Sequence, residues 1–206
     1  MVGALTTRSA PGRPRSSAVD VAILTSALAL FLEGGIEEIA FDQIAKRTGV
    51  SRTAIYRRWK SRDALLLAAL EHLRTQSDHV FPDWAERPLD EIIDWLVEHA
   101  PKTMLDPTYR RLLARGAGLW AGHPALRAAY WDAVLKPRRA VFSRIIERAR
   151  TLGRLPPGAD PELIQDLLTG ALLHRLLIDP AEPDAEGLRA YLVDVLRTIG
   201  LEVNRP

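Results

Sequence analysis

Cysteine is absent from the 206 residues. Disulfides, thiolate zinc sites and cysteine nucleophiles are therefore excluded, and nothing argues for an oxidising compartment. No apolar run approaches the roughly 18 continuous residues of a membrane span. Arg8, Arg13 and Arg15 ahead of Val21–Leu32 have the outline of a signal peptide. However, Asp20, Thr25 and Ser26 interrupt that run, and no small-x-small cleavage site follows Leu32. The expectation is a cytoplasmic protein with no membrane partner. Its five histidines show no metal-ligand spacing. Neither a nucleophile motif nor a phosphate-cradling glycine loop occurs, so no cofactor and no catalytic residue are implied. Strand-like alternation, internal repeats and low-complexity blocks are missing as well.

What remains is helical periodicity. Hydrophobic residues make up 47% of the chain, enough for a sizeable core. Ile23, Leu24, Ala27, Leu28 and Phe31 share one helical face. Ser17 and Asp20 have capping-box-like spacing before it, and Gly34-Gly35 ends it. Short helices follow at 41–48 and 51–59. Ser51 caps the second, and Val50 and Ile55 have the spacing of a hydrophobic staple. Ser61 caps a longer helix through Leu65, Leu66, Leu70 and Leu73, with Asp63 set against its N-terminal dipole. Pro82 and Pro88 flank a break near 77–87. Beyond it, Pro88, Pro107, Pro124 and Pro161 each precede an amphipathic run, where a missing N–H costs nothing. These predict helices near 88–103, 107–121, 124–153, 161–178 and 185–200, with Pro137 kinking or dividing the third. The fold class is all-α, with about nine helices.

Charge is uneven. Residues 1–74 carry a balance of +4 and residues 75–206 one of −2. Lys46 to Arg62 holds seven basic residues and no acid, yet it also contains Val50, Ile55, Tyr56 and Trp59. A purely solvated basic tail would not carry such anchors. Ala45, Gly49 and Ile55 fit two short helices crossing steeply: a small residue at the contact, a position tolerant of positive φ in the turn, and a plug for the crevice. Arg52, Thr53 and Ala54 then face outward at the N-terminus of the second helix, the geometry that enters a major groove.

The stretch IEEIAFDQIAKRTGVSRTAIYRRWKSRDALL, preceded by AILTSALALFLEGG, resembles the DNA-binding domain of the tetracycline-repressor family of bacterial transcriptional regulators. The likeness covers about residues 17–77, with the helix-turn-helix at 40–59. It implies a homodimer whose three-helix head reads an inverted-repeat operator in double-stranded DNA. It also implies a C-terminal domain (78–206) that dimerises and takes a small-molecule effector, most often to release a repressor. By matching positions, Arg52, Thr53 and Ala54 approach bases, while Tyr56, Arg57 and Arg58 contact phosphates and nearby bases. Arg62 matches a phosphate-binding lysine, and Lys46 and Lys60 add charge. Two positions depart from the family pattern. Ala40 stands where Thr or Ser often caps the second helix, and Lys60 stands where Pro is frequent. Residues 1–16 read as a flexible basic arm, in which Arg13 and Arg15 either enter a minor groove or stay unstructured.

The C-terminal two-thirds is less specific. Leu163, Leu167, Leu168, Ala171, Leu172 and Leu176, then Leu188, Leu192, Val195, Leu196 and Ile199, form stripes on the last two helices, with Gly170-Ala171 allowing close approach. Such stripes either close the monomer core or pair two copies, and a palindrome-reading head favours the pair. The expected interface is Leu163, Leu167, Gly170, Ala171, Leu188, Leu192, Val195 and Ile199. Trp95, His99, Met104, Tyr109, Arg115, Trp120, Tyr130, Trp131 and His174 are candidates for an effector pocket, although core packing is the commoner role of any one of them. The alternatives are a DNA-bound regulator acting by occupancy without an effector, and an all-α enzyme with a basic patch.

Overall fold

A computed structural model of the chain describes residues 17–78, 87–201 and 203. Among these residues there are ten α-helices and no strand. The first four are α1 (Ser17–Gly34), α2 (Phe41–Thr48), α3 (Arg52–Arg58) and α4 (Arg62–Asp78), with a 3-10 turn at Ile36–Glu38. On α1, Ile23, Ala27, Leu30 and Phe31 recur every three or four residues and all are sealed from solvent. They meet Ile44 of α2, Ile55 of α3, and Leu65, Leu66 and Ala69 of α4. Local chemistry sets the helix ends. The Ser51 hydroxyl accepts the Ala54 amide at 3.3 Å, and Ser61 accepts that of Ala64 at 3.1 Å. Ala40 gives α2 no side-chain cap. Gly49 lies at φ 69° and donates its N–H to Ala45 at 2.9 Å. Nothing would meet a Cβ there, so backbone conformation alone demands glycine.

The rest comprises α5 (Leu89–Leu105), α6 (Pro107–Gly122), α7 (Pro124–Tyr130), α8 (Lys136–Thr151), α9 (Pro161–Leu177) and α10 (Ala185–Thr198). Asp106, Asp160 and Asp184 cap α6, α9 and α10 through their carboxylates. The expected single run from 124 is divided by a π turn at Trp131–Leu135, where the Lys136 N–H reaches back five residues to Trp131. Pro137 is the cause. It has no N–H for the carbonyl four residues back, and its ring crowds that carbonyl, so the register loosens just before it.

Two apolar clusters result. One joins Leu89, Ile93 and Val97 of α5 to Ile146 of α8, Ile164 of α9, and Leu192 and Leu196 of α10. The other is the core of α1–α4, and it does not stop at the end of α4. Leu119 of α6, Leu126 of α7 and Val134 of the π turn complete it. A polar tie runs the same way: Arg115 of α6 donates to the Glu33 carbonyl at 2.8 Å, near the end of α1.

Candidate nucleic-acid interface

The α2–α3 unit presents the expected face. Arg52, Thr53, Tyr56 and Arg57 are exposed, Ala54 is half-buried, and Ile55 is fully buried behind them. Tyr56 is held by Phe41, their ring centres 4.4 Å apart. The side chains of Lys46, Arg57 and Lys60 are exposed and form no hydrogen bond or ion pair with any described residue. They are free positive charges on this face.

The other four cations are not free, although no acid lies among the seven in sequence. Arg47 grips Glu33 with both terminal nitrogens, at 3.1 and 2.8 Å. That double hydrogen bond holds the Glu33 carboxyl below the usual glutamate range and raises the Arg47 guanidinium. Arg52 Nη1 lies 3.1 Å from Asp42, and Arg62 Nη1 lies 3.0 Å from Glu37. These three pairs are solvent-exposed and individually weak, so a phosphate can compete for the Arg47 and Arg62 guanidinium groups.

Arg58 requires a correction. The resemblance put it among the DNA contacts, but its side chain is only 13% exposed. Its Nε donates to Asp20 of α1 at 2.6 Å, and Nη1 donates to the Ala54 carbonyl. Asp20, in the first turn of α1, fastens α3 to α1. Sequence reasoning missed the acids Asp20, Glu33, Glu37 and Asp42 because they lie 10 to 38 residues from their partners. No local spacing signals them. Arg13 and Arg15 lie outside the described residues.

Known proteins match this arrangement. The family described as "Bacterial regulatory proteins, tetR family" matches residues 23–69, and "Tetracyclin repressor-like, C-terminal domain" matches residues 89–195. The DNA-binding transcriptional repressor TetR of Mycobacteroides abscessus is 30% identical over 178 residues, 85% of this chain and 89% of that protein. The chain belongs to the tetracycline-repressor family. It is a DNA-binding transcriptional regulator and not an enzyme. The HTH-type transcriptional regulator YdeS of Bacillus subtilis is 28% identical over 195 residues, covering 93% of this chain and 95% of YdeS. Among solved structures, a TetR-family regulator from Mesorhizobium loti superposes with a TM-score of 0.71 at 17% identity, over 92% of this chain and 100% of that one. FadR from Bacillus subtilis, solved with stearoyl-CoA, superposes at 0.66 and 17% identity, over 87% and 96%. No helix among the described residues of this family member is long and apolar enough to cross a membrane.

In this TetR-family chain the expected interface residues separate into two sets. Leu163 and Leu167 of α9 stand 55% and 50% exposed, and Gly170 opens onto free space. Ala171, Val195 and Ile199 join the two leucines in lining a surface groove of about 470 Å³ between α9 and α10. Leu188 and Leu192 are different, at 0% and 2% exposed. They cannot touch a second copy, and this corrects their assignment. Leu192, with Leu196 four residues on, joins Leu89, Ile93 and Val97 of α5 instead.

The expected pocket residues are scattered. Trp95 and His99 stack at 4.5 Å on α5, with the His99 ring also bonded to the Trp95 carbonyl. Trp120 and Tyr130 stack at 4.6 Å beside the head core, where burial pushes the Tyr130 phenol up. Met104 packs on the α5–α10 cluster and His174 is exposed. Trp131 lies 44% exposed under the Arg139 guanidinium. Arg115 is spent on α1. Neither the α9–α10 groove nor the depression lined by Ser143, Glu147 and Pro161 contains any of them.

Proposed function

We propose that the protein is a homodimeric repressor that reads an inverted-repeat operator and is released from it by a small-molecule effector. The observation that carries the dimer is the groove between α9 and α10, flanked by two large exposed leucines. Apolar side chains of that size are left in water at a cost that a second copy of the same face removes. A lone three-helix head spans too few base pairs for useful specificity, whereas two heads on a dyad read two half-sites. The repressor sense is supported by the Mycobacteroides abscessus relative of that name.

Phosphate contacts are assigned to Lys46, Arg57, Lys60 and Arg62, and base reading to Arg52, Thr53, Ala54 and Tyr56. For release, α4 runs from Arg62 at the DNA side to α7 and the π turn, which it contacts. An effector lodging near the Trp120–Tyr130 stack would tilt α4 and change the spacing of the two α3 helices. It can do so only by binding the DNA-incompetent form more tightly, and operator must weaken effector binding by the same factor. FadR with stearoyl-CoA is a solved case of this fold holding a small ligand.

The dispersal of the pocket candidates favours a second reading, regulation by occupancy alone. The test is selection of duplexes from a random pool with the full chain, followed by a thermal-shift screen and titration of any hit with and without the selected operator. Equal affinities in the two titrations would leave occupancy as the mechanism. An asymmetric, single half-site winner would overturn the dimer.

A further inference from the structure

Asp42 belongs to no expected set of DNA-contacting residues, yet it stands exposed on α2 and paired with Arg52. One nitrogen of the Arg52 guanidinium lies 3.1 Å from Asp42 Oδ1 and 3.2 Å from Oδ2. The other terminal nitrogen is 3.4 Å from the Tyr56 hydroxyl, and the guanidinium carbon stands 5.3 Å from the centre of the Tyr56 ring. Tyr56 in turn rests on Phe41, the residue before Asp42. Four side chains from two helices therefore close a loop: Asp42, Arg52, Tyr56 and Phe41. Only Phe41 is buried. The other three are exposed, so this loop is not a core device.

We propose that Asp42 is a specificity-determining positioning residue: with Tyr56 it fixes the Arg52 guanidinium to read a guanine. The inference rests on the reading that α3 enters the major groove. An unsupported arginine side chain samples many rotamers and serves any phosphate within reach. A guanine edge demands two N–H groups held in one plane, aimed at O6 and N7. The carboxylate engages one terminal nitrogen and the hydroxyl the other, which restrains that plane in advance. A guanidinium carries more N–H donors than these two contacts consume, so donors remain for the base. The bland alternative is that Asp42 only complements the N-terminal dipole of α2, where acids are favourable. That role explains an acid in the first turn, but not a carboxylate joined across the turn to the next helix.

The two roles predict opposite signs. Asp42 is a negative charge beside a polyanion, so its removal by itself strengthens binding to every duplex. Its removal as a positioning group weakens binding to the preferred duplex alone. The experiment uses the full chain, the duplex that wild type selects from a random pool, and a scrambled duplex of equal length. For Asp42→Asn, affinity for the selected duplex should fall roughly ten-fold, the scrambled duplex should bind no more weakly than before, and the melting temperature should hold. Reselection with Asp42→Asn should lose the preference for one guanine, the same one lost with Arg52→Ala. In the Arg52→Ala background, Asp42→Asn should change discrimination no further, and Asp42→Glu should restore part of it in the wild-type background. Equal strengthening on both duplexes, or a guanine preference intact in Asp42→Asn but lost in Arg52→Ala, overturns the positioning role while leaving Arg52 as the reader. Unchanged discrimination in Arg52→Ala itself removes the base-reading assignment and this inference with it.

Discussion

Along α2 and α3 the aliphatic side chains Ile44 and Ile55 are driven inward and cations are left outside; along α9, Leu163 and Leu167 are left outside instead. The two faces suit different partners. A solvated polyanion is met by mobile charge and exchanges counterions, while a second apolar face is met by fixed side chains and releases water. The contrast also separates patterns that look alike in sequence. The leucine stripes of α9 and α10 have the same spacing, yet Leu192 is interior and Leu167 is surface. Likewise, seven cations with no acid among them look equivalent, yet four are held by acids from outside the stretch.

Substitutions can break that contrast, and the largest effect should come from the interior leucine. Leu192→Glu buries an unpaired carboxylate and should remove at least about 4 kcal/mol, leaving little folded protein by circular dichroism. Leu167→Glu makes the same chemical change on the outer face. It should melt like wild type, elute as a monomer, and lose about 100-fold in affinity for a two-half-site operator, because the second head is no longer tethered. A Leu167→Glu variant that stays dimeric would place the interface elsewhere.

Within the head, neighbouring arginines should behave differently. Arg58→Ala strands the Asp20 carboxylate and should cost about 1–3 kcal/mol in chemical denaturation, with the salt dependence of DNA binding unchanged. Arg57→Ala should leave stability alone and lower the log–log salt slope by about one. The smallest effect concerns pH. The Glu33 carboxyl is depressed by Arg47, so their tie between α1 and α2 is fully present above the ordinary glutamate range and disappears as pH falls through the lowered value. The melting difference between wild type and Glu33→Gln should be constant above the ordinary glutamate range, shrink as the pH falls through that range, and vanish only below the lowered value of the Glu33 carboxyl.

Most of the head was legible because its signals are local. Ser51, Ser61, Gly49 and Ile55 act within a turn or two of themselves, and each sits where the spacing put it. Pro137 announced a disturbance, and the π turn is the form it took. The parts that stayed hidden depend on distance in sequence. Asp20 meets Arg58 across 38 residues, and whether α9 or α10 faces α5 is settled by packing, not by periodicity. The 3-10 turn at Ile36–Glu38 was too short to show any period. A pocket built from single residues on several helices leaves no spacing at all, and the aromatic pairs Trp95–His99 and Trp120–Tyr130 lie in different places.

Leu119, Leu126 and Val134, which finish the core of α1–α4 from outside it, limit how this molecule can be recombined. A chimera that carries residues 17–78 onto the C-terminal half of another relative would graft a head whose floor is missing. It would fold only where the recipient supplies three apolar plugs of similar size at the same places. In a lineage that shuffles heads and bodies, these three positions should therefore travel with the head, although they lie in the body.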